Sequence, residues 1–147
     1  MSIKSLPLWL FFGWQACSSP TPPETSRNYE PQLKDAYHVA FLIMDGTYKT
    51  EFTAPFDIFQ HTQFREGIEP MEVFTVARTH DAITTFEGIK VLPDYSYLQD
   101  SLPAIDILVI PSAEHHLDTD RADSTLIRWV RKVSQSAHFV TSHCDGA

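Results

Sequence analysis

Basic side chains are scarce in this 147-residue sequence: 11 lysines and arginines stand against 19 acidic residues, for a formal net charge of -8. A nucleic-acid surface needs a basic face, and no Lys/Arg cluster supplies one, so nucleic acid is excluded as a partner. The nearest grouping, Arg128, Arg131 and Lys132, has helical spacing and reads as an ordinary solvated face. Cysteine is rarer still. Cys17 and Cys144 are the only two, one at a flexible end and one in a turn, which excludes a structural disulfide. Long apolar runs are absent as well: Leu6 to Trp14 falls well short of the ~20 residues that a membrane-spanning helix needs. No internal repeat is visible. Metal-ligand spacing is also missing, because the adjacent His115 and His116 in Glu114-His115-His116-Leu117-Asp118-Thr119-Asp120 lack the i, i+4 geometry of a helical zinc site. No third spaced histidine or cysteine joins them, so this is a solvated polar loop, and neither a metal nor another cofactor is expected.

What remains is enough for one soluble domain, since 43% apolar and 12% aromatic residues can fill a normal core. Residues 1–17 stand apart from it. Lys4, the short apolar run and Trp14-Gln15-Ala16-Cys17 resemble a bacterial lipoprotein signal, with Cys17 as the lipidation site. Residues 18–36 are rich in Pro, Ser and Thr and read as a tether. The expected location is therefore the bacterial cell envelope, with the exported protein held on the periplasmic side of a membrane by a lipid anchor.

Residues 37–147 carry the fold. His38-Val39-Ala40-Phe41-Leu42-Ile43-Met44 is too short for a typical helix and too uniformly apolar for a half-exposed strand, which predicts a buried parallel strand. Asp45-Gly46 breaks it, and Pro55 suits the first turn of a helix that turns Phe56, Ile58 and Phe59 inward. Further strands are predicted at 71–77, 89–92 and 105–110. Leu126, Trp129, Val130 and Val133 recur at i, i+3, i+4 and i+7, with Asp123 or Ser124 available as the helix cap. Strands alternating with helices imply a doubly wound α/β sheet.

The last seven residues, Thr141-Ser142-His143-Cys144-Asp145-Gly146-Ala147, follow the apolar Ala137-His138-Phe139-Val140 and read as a strand turning sharply at a cysteine. A residue at the tip of such an elbow projects beyond the carboxyl ends of the strands, while Gly146 lets the backbone pass without a Cβ clash. Cys144 thus sits where α/β enzymes place their chemistry.

The segment Asp45-Gly46-Thr47-Tyr48-Lys49-Thr50-Glu51-Phe52-Thr53-Ala54-Pro55-Phe56-Asp57, the strand ending in Ile110-Pro111, and Ser142-His143-Cys144-Asp145-Gly146-Ala147 together resemble the ThiJ/PfpI superfamily. The fold of that superfamily is related to class I glutamine amidotransferases. The resemblance covers residues 37–147 and implies the amino-terminal part of a doubly wound, mostly parallel α/β sheet with flanking helices, the carboxyl-terminal part missing. It implies Cys144 as nucleophile, with Glu51 as the acidic partner that hydrogen-bonds its sulfur. An ionised carboxylate would repel a thiolate, so the expected Glu51 is protonated and donates. The resemblance also implies oxyanion donors, the backbone N–H groups of Ala113 and Asp145, although the family's Pro-Gly-Gly turn reads Pro111-Ser112-Ala113 here. No base is assigned, because Asp145 follows the cysteine and His143 precedes it in a turn from which neighbouring side chains diverge.

The implied chemistry is addition to a small electrophilic carbon: hydratase, hydrolase or amidotransferase-like action on a carbonyl, amide or isonitrile. The expected partners are a small-molecule substrate and, in the complete protein, further copies of itself. The chain as it stands is expected to be inactive. Two alternatives stay open, a non-enzymatic ligand-binding or redox-sensing domain and an inert fragment.

Overall fold

The computed structural model describes residues 36–114, 122–144 and 146. The signal-like stretch with Cys17, most of the tether, the paired His115 and His116, and Asp145 lie outside the described residues.

In chain order the elements are β1 (Tyr37–Leu42), α1 (Lys49–Gln60), a 3-10 turn (His61–Phe64), β2 (Met71–Ala77), β3 (Ile83–Thr84), β4 (Lys90–Val91), β5 (Tyr95–Ser96), β6 (Ile107–Ile110), α2 (Ser124–Ser134) and β7 (Phe139–Ser142). Five strands form one sheet in the order β5-β2-β1-β6-β7, and every pairing in it is parallel. Val39 is in register with Val73 on one side and with Ile107 on the other. From β1 and β6 the chain crosses over in opposite directions, so right-handed connections put α1 and α2 on opposite faces. The doubly wound α/β architecture is therefore present.

β1 is the centre of the core, and its alternation explains the uninterrupted apolar run. Val39, Phe41 and Ile43 belong to the cluster that takes in Phe52 and is flanked by Phe56 and Phe59 of α1. Ala40 and Leu42 join Phe74, Leu108 and the α2 residues Leu126 and Val133 on the other face. The rings of Phe52, Phe56 and Phe59 stand 5.8, 5.4 and 6.2 Å from that of Phe41. In α2, Trp129 and Val130 complete the predicted stripe. Asp123 is the cap, its Oδ1 accepting from the N–H groups of Thr125 and Leu126 at 2.9 and 3.1 Å.

Three expectations are corrected. Pro55 lies inside α1 rather than in its first turn. It forfeits the bond to the Glu51 carbonyl, but the helix start is fixed from elsewhere. The Glu87 carboxylate accepts from Lys49 N–H at 3.2 and 3.0 Å, and Tyr48 N–H donates to the Ser112 carbonyl at 3.0 Å. Ile58 points outward, 68% exposed, because residues two apart on a helix do not share a face and Phe56 takes the inner one. Finally, the stretch 89–92 contributes only β4, which pairs antiparallel with β3 in a separate ribbon, and β5 takes the sheet edge instead.

Candidate active site

Residues 43–48 after β1, 111–114 after β6 and 143, 144 and 146 after β7 meet at the carboxyl ends of the strands. The connections leaving β1 and β6 diverge there, which opens the crevice used for ligands in doubly wound sheets.

The floor is tied together through backbone. Gly46 takes φ +81°, a conformation open to glycine, and its carbonyl accepts from Glu114 N–H at 3.0 Å. Thr47 and Ala113 form an antiparallel bridge whose hydrogen bonds fall to the flanking residues, Tyr48 with Ser112 and Glu114 with Gly46. In that pattern the N–H of Ala113 points away from Thr47. It has no partner among the described residues.

Cys144 follows β7 with φ +52°, the one positive value at a non-glycine position among the described residues, and its thiol is free and exposed. The turn is held against β6: His143 N–H donates to the Ile110 carbonyl at 3.0 Å, and Gly146 N–H donates to the His143 carbonyl at 3.0 Å. A Cβ on Gly146 would overlap the Ile110 carbonyl oxygen, so the close passage inferred from the sequence is real.

Glu51 lies one turn into α1 and reaches both neighbouring connections. Ser112 N–H donates to its Oε2 at 2.9 Å, and His143 Nδ1 stands 3.4 Å from the same oxygen. The Ser112 hydroxyl donates to the His143 carbonyl at 2.9 Å, closing the cluster. Burial pushes the Glu51 pKa up, but hydrogen bonding from Ser112 and His143 and the imidazole's charge outweigh it, so the carboxyl titrates below its ordinary value. These surroundings select the ionised carboxylate, not the protonated donor expected from the sequence.

The structure thus brings Glu51 to the residue before Ala113 and beside the residue before Cys144. His143 and Ser112 are the participants that the sequence left unassigned. The imidazole, on the residue before Cys144, lies against Glu51. Ser112 stands where the family pattern has glycine, and that departure was the available signal. Among the described residues, no group of three His, Cys, Asp or Glu side chains is arranged to hold a metal ion.

A parallel, doubly wound sheet with a crevice between the carboxyl ends of β1 and β6, and an exposed cysteine on a positive-φ turn after the neighbouring β7, places the chain among α/β domains of the doubly wound class. Residues 37–147 match the DJ-1/PfpI family, and the chain belongs to that family. No match was found among curated proteins. Solved structures agree on the fold. DJ-1beta from Drosophila melanogaster is similar with TM-score 0.62 and 16% identity, over 76% of this chain and 56% of that one. A ThiJ/PfpI family protein from Pseudomonas syringae gives TM-score 0.59 and 18% identity, over 90% of this chain and 50% of that one. A two-domain protein from Anabaena variabilis, with DJ-1/ThiJ/PfpI-like and ferritin-like domains, gives 0.57 and 22%, over 75% and 30%. The chain thus spans between 30% and 56% of these three structures.

Proposed function

We propose that Cys144 is the nucleophile of an enzyme domain acting on a small electrophilic carbon, in hydratase, hydrolase or amidotransferase-like chemistry. The observation that carries this reading is the φ of +52° at an exposed thiol. Such backbone strain, roughly 1–3 kcal/mol, persists where surrounding structure enforces it, and it clusters at reactive positions. Having lost its proton to solvent, the sulfur adds to a carbonyl or amide carbon, and the oxyanion that forms falls to the backbone N–H groups of Ala113 and Asp145. Its collapse expels the amine or alcohol with a proton to leave a thioester; on an isonitrile the attacked carbon takes up the proton to give a thioimidate. Water then releases the product. Glu51 orients the His143 ring, whose Nδ1 stands 3.4 Å from its Oε2, beside the turn that carries Cys144.

The test is acid-quenched intact mass spectrometry after mixing the complete protein, extended through its carboxyl-terminal part, with small amides, esters and isonitriles. A covalent adduct on Cys144, absent in Cys144→Ser, is expected. No adduct and no turnover across the panel would remove the enzymatic reading. Exposure of the same thiol favours a second reading, a redox sensor, in which dilute peroxide oxidises Cys144 reversibly while no substrate turns over.

Envelope attachment is a separate proposal supported by the pattern around Cys17. Two acyl chains there would hold the protein stably at a membrane. Labelled fatty acid entering the parent but not Cys17→Ser is the expected result. Self-association of the complete protein is proposed likewise and is read by sedimentation.

A further inference from the structure

We propose that Tyr48 and Phe86 form one wall of the crevice and select substrates bearing a flat, uncharged apolar group, such as aryl-substituted amides, carbonyls or isonitriles. This rests on the reading of Cys144 as the reacting thiol. The two rings lie 4.7 Å apart at 34°, yet Phe86 is 52% exposed, so much of the pair faces solvent. A lone exposed phenylalanine on a loose loop calls for no explanation. The backbone beneath this pair is not loose. Phe86 N–H donates to the Thr47 carbonyl at 3.0 Å, Gly46 N–H to Thr84 at 2.8 Å and Thr84 N–H to Asp45 Oδ1 at 2.7 Å. Next to Phe86, Glu87 is bound to Lys49 N–H. The tip closes on itself through Thr85 N–H to Ile89 at 2.8 Å and Gly88 N–H to Thr85 at 2.9 Å. An apolar plane held in place is what offset stacking on a flat ligand requires.

The pair is also continuous with the reactive residues. Tyr48 N–H is bonded to the Ser112 carbonyl, Ser112 N–H holds Glu51, and the Ser112 hydroxyl holds the His143 carbonyl next to Cys144. The carboxylates of Asp45, Glu51 and Glu87, bound to the N–H groups of Thr84, Ser112 and Lys49 on the same segments, disfavour an anionic ligand here.

Ligand-observed NMR on the full chain with Cys17→Ser compares benzamide with cyclohexanecarboxamide, which differ in planarity. The wall gives benzamide a preference of roughly 2- to 10-fold, the range that aromatic pairing supplies. Phe86→Leu, which keeps apolar volume, abolishes the preference, and Phe86→Trp retains it; thermal melts confirm that both variants are folded. Equal binding of the two amides, or a preference that survives Phe86→Leu, overturns the wall. So does a change of oligomeric state in Phe86→Leu without ligand discrimination, which would make the pair an interface between copies. Alkylation of Cys144 by iodoacetamide, forming a thioether with loss of iodide and the thiol proton, is read separately. Benzamide preference with an inert Cys144 would keep the wall and defeat the nucleophile.

Discussion

β1 and β7 are built from similar material and meet opposite fates. Both are parallel strands of one sheet with β-branched and aromatic residues, yet Val39, Ala40 and Phe41 are fully buried while Phe139 is 64% and Val140 43% exposed. β1 has a strand on each side and a helix against each face, whereas among the described residues β7 pairs with β6 alone. Apolarity shows that a strand can be buried; the number of neighbours decides whether it is. The same contrast divides the chemistry, since β1 leads into a helix tied down by Ser112 and Glu87, and β7 leads into the strained turn at Cys144.

The sharpest way to break the comparison is to truncate both strands alike. Phe41→Ala removes a ring packed against three others and should cost about 3–5 kcal/mol. Phe139→Ala should stay within about 0.5 kcal/mol. Urea titration reads both, and comparable losses would mean that β7 is as buried as β1.

Next in size is the link between the two regions. Glu51 reaches from α1 to the turn after β7, and Glu51→Ala leaves the Ser112 N–H without its acceptor, at a cost of about 1–3 kcal/mol. The pH dependence has a definite sign. Because the folded-state pKa is lowered, this stabilisation is fully present above the ordinary carboxylate value of about 4.3 and is lost as pH falls through the lower folded value. Glu51→Gln keeps an acceptor but removes that acid-range slope. An identical slope in Glu51→Gln would show the carboxyl to be unperturbed by folding.

The contrast also explains what the sequence revealed. β1, β2, β6 and the α2 stripe were legible because burial on one or both faces imposes its period on the residues. The elbow was legible because Cys144 and Gly146 meet local demands, a positive φ and a close passage to Ile110. What stayed hidden depends on distant partners. The start of α1 is set by Glu87 and Ser112, far along the chain, so Pro55 misled. The Glu51 pKa is lowered by Ser112 and His143, which no spacing rule connects to it. The ribbon of β3 and β4 is too short to show a period, and β5 is two residues long.

A smaller effect tests the helix that covers the Ala40–Leu42 face of β1. The N–H of Leu126 holds the Asp123 carboxyl below its ordinary pKa; burial works against this, while Thr125 and Arg78 add to it. Asp123→Ala should cost about 0.5–2 kcal/mol, measured by thermal unfolding. Asp123→Asn keeps the cap and loses the ion pair with half-exposed Arg78, about 0–1 kcal/mol. If Asn proves as damaging as Ala, the cap is not what holds α2 to the sheet.

The smallest change in stability is expected on β7, and its sign separates exposure from hidden burial. Phe139→Lys puts a charge on an edge strand whose side chains are exposed along its length. Folded-state free energy should move by no more than about 0.5 kcal/mol, because the lysine head stays in water and the ring gave up little contact. Self-association should fall, since an exposed apolar edge is a template for pairing and a lysine there blocks it. Sedimentation velocity at several concentrations reads the second effect, and urea titration reads the first. A loss of several kcal/mol would show that Phe139 is covered in solution, and the distinction between β1 and β7 would then be one of degree.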